Sequence, residues 1–122
     1  MELKKIDLNG KTIELRTSGT LPYIYRQLWH RDIFVDYDHL TSTAEKIRDE
    51  SGKLVSLKID QAEYIETLER MTYAMAKHAN PSLPAIEIWL EQFNAGEHYE
   101  LFQPVMKLWE EEIHTQSQPK NA

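Results

Sequence analysis

Apolar positions at the start of the chain recur every second residue, then switch to a helical period near residue 20. Ile6 and Leu8 alternate with polar neighbours, as do Ile13 and Leu15, and Asn9-Gly10 stands between the two runs. A type I′ turn needs φ > 0 at both central residues, and Asn-Gly tolerates this well. Residues 2 to 16 are therefore predicted to form a β-hairpin. Two strands alone are marginal in water, so the apolar face of the hairpin must rest on the helices that follow.

The first of these opens at Thr20, a candidate N-cap, with Pro22 in the first turn, where its missing N–H costs nothing. Leu21, Ile24, Tyr25 and Leu28 follow the i, i+3, i+4, i+7 spacing of a buried stripe, with Trp29 at its edge. Asp32 can cap a second, short helix carrying Ile33, Phe34, Tyr37 and Leu40 on one side. Residues 41 to 60 are less regular. Thr43 to Glu50 reads as a charged helix ended by Gly52, and Val55, Leu57 and Ile59 alternate weakly. The segment is read as a loop, with an extra edge strand left open.

Asp60 and Glu63 have the spacing of a capping box. The helix they begin is predicted to run to Ala79 with Ile65, Leu68, Thr72, Met75, Ala76 and Ala79 on one broad face, and Asn80-Pro81 ends it. Ser82 starts the next helix, with Pro84 in its first turn and Ile86, Trp89, Leu90 and Phe93 as its stripe. Asn94-Ala95-Gly96 breaks that helix. The last one, about Glu97 to His114, buries Phe102, Val105, Met106, Trp109 and Ile113. Pro104 should kink it, unless the helix begins near Gln103. The predicted fold is α+β, mainly α, with the N-terminal β-hairpin packed on a bundle of about five helices. Residues 1–114 form the single domain, and the polar residues 115–122 are expected to be a disordered tail.

Composition narrows the function. A chain of 122 residues is long enough for one core without staples, and it has no cysteine. Disulfides, thiolate nucleophiles and Cys-ligated zinc are thereby excluded, and a reducing cytoplasm is the expected setting. The start, Met1-Glu2-Leu3-Lys4-Lys5, leads into no apolar run of signal-peptide length, and no stretch has the length of a membrane helix. The net charge of −6 argues against nucleic acid, whose binding draws on lysine and arginine, and for a protein partner.

Catalytic patterns are missing. None of His30, His39, His78, His98 and His114 stands four residues from another, so the paired-ligand spacing of a zinc helix is absent. His78 and His114 fall in last turns, where a cation favours the helix dipole. Carboxylate runs such as Glu110-Glu111-Glu112 read as solvated faces, and no serine lies in a nucleophile-elbow context. Four glycines build no phosphate cradle. No catalytic residue, cofactor or metal is predicted.

The informative residues miss the stripes. At about 100° per residue, Tyr23, Val35 and Ile88 point away from the buried face of their own helices, and Tyr73 lies off the Ile65–Met75 face. One reading is that a bundle helix simply packs on two neighbours. The other is that Tyr23, Val35, Tyr73 and Ile88 belong to a partner-binding patch. Trp29, Trp89 and Trp109 read as core anchors.

The order of elements is also distinctive. A short hairpin precedes Tyr23-Ile24-Tyr25-Arg26-Gln27-Leu28-Trp29, then come Arg31-Asp32-Ile33-Phe34 and a variable charged middle. Tyr73-Ala74-Met75-Ala76-Lys77, Trp89-Leu90-Glu91-Gln92-Phe93 and a closing Leu108-Trp109 follow. Over residues 3 to 113 this resembles the tail assembly chaperone family of long, non-contractile-tailed phages and prophages of Gram-positive bacteria. The resemblance implies a non-enzymatic protein that binds and solubilises the tape measure protein, and is displaced as tail tube protein polymerises around it. It implies action in the host bacterial cytoplasm, absence from the mature virion, and a longer frameshifted form of the same chain. Contact with the tail tube protein or the longer form, and self-association, belong to the same expectation. The family has no catalytic residues to carry over. Two other classes share the absence of chemistry: a small acidic phage adaptor or inhibitor of one folded host protein, and a helical DNA-binding regulator. The regulator needs a basic recognition helix, and Tyr23 to Arg31 offers only Arg26 and Arg31.

Overall fold

In the computed structural model, which describes residues 2–46 and 61–117, Asn9 has φ 50° and Gly10 φ 85°. Both sit in the left-handed region that the turn demands. They reverse the chain between β1 (Glu2–Leu8) and β2 (Lys11–Thr17), which pair antiparallel with Leu8 opposite Lys11 and Ile6 opposite Ile13. Pairing in this register puts Leu8, Ile13, Leu15 and Thr17 on one face, and all four are buried. A methyl group on Gly10 would meet open space, so the cost of adding it lies in the backbone alone. Gly10→Ala is expected to lower stability by about 1 kcal/mol, read as an earlier urea midpoint with an unchanged slope.

Among the described residues five helices follow: α1 (Leu21–Trp29), α2 (Ile33–Lys46), α3 (Gln61–Ala79), α4 (Ile86–Leu90) and α5 (Ala95–Ser117). The fold is α+β, mainly α. The centre is α3, which packs against β2, α1, α2 and α5. Its residues from Met71 to Ala76 are buried all the way round, as expected for a helix with neighbours on every side.

Several boundaries differ from the sequence reading. Thr20 takes the N-cap position of α1 without a side-chain cap bond; Ser18 Oγ accepts the Thr20 N–H at 3.1 Å instead. Asp32 does cap α2, accepting the Phe34 N–H at 2.8 Å, and that helix continues through the supposed loop to Lys46. The edge strand, the helix end at Gly52 and the Asp60 cap all lie outside the described residues. Residues 82–85 are not helical. Asn80 Oδ1 accepts the Ser82 N–H at 3.1 Å in an Asx turn, and α4 starts only at Ile86.

The Asn94 segment begins a helix as well as ending one. Asn94 Oδ1 accepts the Glu97 N–H at 2.9 Å, while Glu97 Oε1 accepts the Asn94 N–H at 3.0 Å. This reciprocal capping box lets α5 start at Ala95. The helix runs through Pro104 without restarting at Gln103, and it continues to Ser117, past the predicted boundary at residue 114.

Candidate protein-binding surface

The structure separates the four residues singled out from sequence. Tyr23 on α1, Val35 on α2 and Ile88 on α4 are 54%, 63% and 60% exposed. Tyr73 is 3% exposed and belongs to the core. Its rings stack edge-on between Trp29 and Trp89, and its hydroxyl donates to the Pro84 carbonyl. The off-stripe argument fails there because α3 has no solvent side between Met71 and Ala76. Tyr23 carries the Arg26 guanidinium 5.9 Å from its ring. Val35 has half-exposed Phe34 beside it, which in turn packs on Trp109 at 5.3 Å. These three exposed residues stand on three different helices.

Ile88 borders a groove of about 380 Å³ between β2 and the α3–α4 connection. Thr12, Ile13 and Glu14 form one wall, and Ala76, Leu83 and Trp89 give the opposite side an apolar lining. Trp89 is held by an aromatic series, with Tyr73 at 5.6 Å on one side and Phe93 at 5.1 Å on the other. Lys11 then places its ammonium 5.7 Å from the Phe93 ring. The lining also carries the polar Asn80 and Gln92, and Glu14 is its charged residue. Glu87 of α4 adds to a rise in the Tyr73 phenol. The first cause of that rise in Tyr73 is burial itself.

Polar clusters elsewhere are structural ties. Asp36, buried in α2, accepts two bonds from Arg31, at 2.8 and 2.9 Å, and one from the Tyr25 hydroxyl at 2.6 Å. Arg70 of α3 completes the group, donating to Tyr25 Oη at 3.1 Å and standing 3.5 Å from Asp36. Burial opposes the Asp36 charge, but the Arg31 and Tyr25 hydrogen bonds outweigh it and hold the carboxyl below its ordinary value. Burial, then the bond to Asp36, pushes the Tyr25 phenol well above the ordinary range. Between α2 and α5, Tyr37 donates to Glu110 at 3.0 Å, and burial followed by that bond raises its phenol to about 12.

A second tie joins the two ends of the fold. Glu97 accepts from Asn9 Nδ2 at 2.6 Å and from Lys11 Nζ at 3.2 Å, in addition to its role in the capping box. The Asn9 bond is the main reason its carboxyl is held low, with the Asn94 amide next. Lys11 also donates to the Gln92 carbonyl at 2.7 Å. Sequence inspection overlooked this site, although Asn94-x-x-Glu97 carries the capping-box spacing in plain view.

Ser18 Oγ and His78 Nε2 lie 2.8 Å apart, the geometry of a nucleophile and its base. The serine oxygen is already engaged by the Thr20 amide, and the pair closes the β2–α1 loop onto the end of α3. Burial, then the nearby Arg16 charge, lowers the His78 pKa, so the ring does not supply the helix-end cation expected from its position. Folding that depresses a histidine pKa leaves stability intact above 6.5, its ordinary value, and removes it as pH falls below that. The melting temperature is expected to fall between pH 7.5 and 5.5, and His78→Gln should flatten that part of the profile.

Among the described residues, no cluster of His, Asp or Glu could hold a metal ion, and no helix is long and apolar enough to cross a membrane. No family model, curated protein or solved structure matches the chain.

Proposed function

We propose that this chain is a tail assembly chaperone that binds and solubilises the tape measure protein by protein–protein contact, without catalysis. The observation that carries the reading is the groove beside Ile88, where Leu83 and Trp89 give apolar contact and Glu14 a charge. Two sequence blocks behind the family resemblance frame it, since Ala76 belongs to one and Trp89 to the other. A holdase needs such a surface: apolar enough to retain a client, charged enough to stay in solution, and modest in affinity per copy. Many copies along one long client then add avidity without tight individual contacts. A net charge of −6 on each bound copy keeps the coated client dispersed by mutual repulsion. In this role the chain acts in the bacterial cytoplasm and leaves before the virion is complete.

The test is affinity recovery of the tagged chain from phage-producing or prophage-induced cells, with mass spectrometry of what accompanies it. One very long, helix-rich phage protein with several copies of this chain on it supports the chaperone reading. A single folded host protein at equal stoichiometry would replace it with an adaptor or inhibitor. Ile88→Asp places a charge at an exposed site and is expected to change stability by no more than about 0.5 kcal/mol. It should nevertheless reduce client recovery.

A further inference from the structure

Among the described residues, no strand lies along the outer edge of β2. In an antiparallel pair, hydrogen-bonded and non-bonded residue pairs alternate along the strands. The two-residue turn makes Leu8–Lys11 a bonded pair, so Ile6–Ile13 and Lys4–Leu15 are bonded as well. The backbone N–H and C=O groups of Thr12, Glu14 and Arg16 therefore point away from β1. Among the described residues the sheet has two strands, and none of these groups takes part in a backbone bond to another element. Exposed edges of this kind recruit further strands unless they are covered or blocked. Here the groove lies directly against the edge, with Thr12 and Glu14 in its wall.

We propose that the groove receives an extended peptide segment of the partner, added as a third strand along β2. The segment has apolar side chains at alternate positions and a lysine or arginine facing Glu14. The row of unpaired backbone groups requires an extended occupant, because a helix has already spent its own amides. From Thr12 to Arg16 the edge spans about 14 Å, enough to pair with some five residues. Alternate side chains of such a strand turn toward Leu83, Ile88 and Trp89, which accounts for the apolar lining.

Charge narrows the choice of occupant. Glu14 is the central residue of β2. A second copy pairing antiparallel in the register centred on Glu14 would bring Glu14 against Glu14, and like charges directly opposite are destabilising. The register centred on Leu15 would set Glu14 against Arg16, so the oligomeric state is followed in the test below. Glu14 is the charged residue of the groove lining and favours a basic residue opposite it in the new strand. Lys5 of β1 is the cross-strand neighbour of Glu14 on its other side, so a basic residue in the new strand continues an alternating row.

This mode deepens the chaperone reading, on which it rests only for the identity of the client: a segment held extended is one that has not yet formed its helices. The experiment titrates the ¹⁵N-labelled full chain with a panel of nonapeptides that alternate Val, Ile or Leu with Thr and Lys. A matching panel has Glu in place of Lys, and one amphipathic helical peptide serves as a further probe. Lysine-bearing strand peptides are expected to shift the amides of Thr12 to Arg16. They should also slow hydrogen exchange at Thr12 and Glu14 by about tenfold or more.

Glu14→Pro removes an outward N–H while leaving the β1–β2 ladder in place, as proline permits on an edge, and should abolish the effect. Ile88→Asp leaves the strand untouched and should weaken binding by about tenfold, the loss of one apolar contact in the groove. Three results overturn the proposal: no panel member perturbs β2, the glutamate peptides bind as well as the lysine ones, or the edge shifts only as the chain dimerises. Peptide binding at β2 without recovery of a tape measure protein keeps this inference and discards the chaperone reading. Recovery of that client with β2 unperturbed does the reverse.

Discussion

Asp36→Ala is expected to cost about 3 kcal/mol of folding stability, the range for removing one partner of a buried ion pair. The loss arises from what stays behind. Arg70, with its side chain only 15% exposed, would keep its charge in the interface between α2 and α3 without a buried counter-ion. The Tyr25 hydroxyl, at the base of α1, would lose its acceptor. Arg31 is different: its side chain is 43% exposed, so in the aspartate variant water can take the place of Asp36 beside it. Small domains of this kind are stable by about 5–15 kcal/mol, so the aspartate variant should show a clearly shifted urea midpoint. The pH profile gives a second check. Asp36 has a depressed pKa, so its contribution is present above the ordinary carboxylate value and is lost on further acidification. The alanine variant should lack that part of the acid transition.

Tyr73→Ala should be about as damaging, near 4 kcal/mol, by the cost of emptying a large aromatic site in a packed core. Its ring ties α1 to α4 through Trp29 and Trp89. Tyr73→Phe keeps the ring and loses only the bond to Pro84, for which about 1 kcal/mol is expected. Comparing the two variants separates a core role from a contact role. If Tyr73 touched the client directly, the phenylalanine variant would reduce client capture per folded molecule. The structure predicts no such reduction.

The legible parts of the fold were those set by local chemistry. Asn9-Gly10 fixed the hairpin, Asp32 the start of α2, and Asn80-Pro81 the end of α3, because each acts through dihedral limits or a nearby amide. Tyr73 misled because a wheel shows which side of a helix is apolar, not how many neighbours surround it. The polar ties were harder, since Asp36 with Arg70 and Glu97 with Asn9 join distant parts of the chain. A hint of the first was present: Asp36 falls at i+3 from Ile33, inside the stripe that ends at Leu40. The groove had no sequence signal at all. It arises from how β2 meets the turn after α3, and among the four nominated residues only Ile88 lines it.

The clasp between the hairpin tip and the start of α5 sets an order of events at the ribosome. Asn9 and Glu97 are 88 positions apart, and a lone hairpin is marginal in water. At about 5–20 residues per second, the hairpin emerges roughly 4 to 18 s before its latch exists. Until α3 has emerged the nascent chain exposes the apolar face of β2, which packs on that helix, and protection must come from the ribosome surface or from other chaperones. The domain closes only when α5 arrives. Because the latch lies in the first turn of that helix, sequence appended beyond its far end would leave the closure undisturbed.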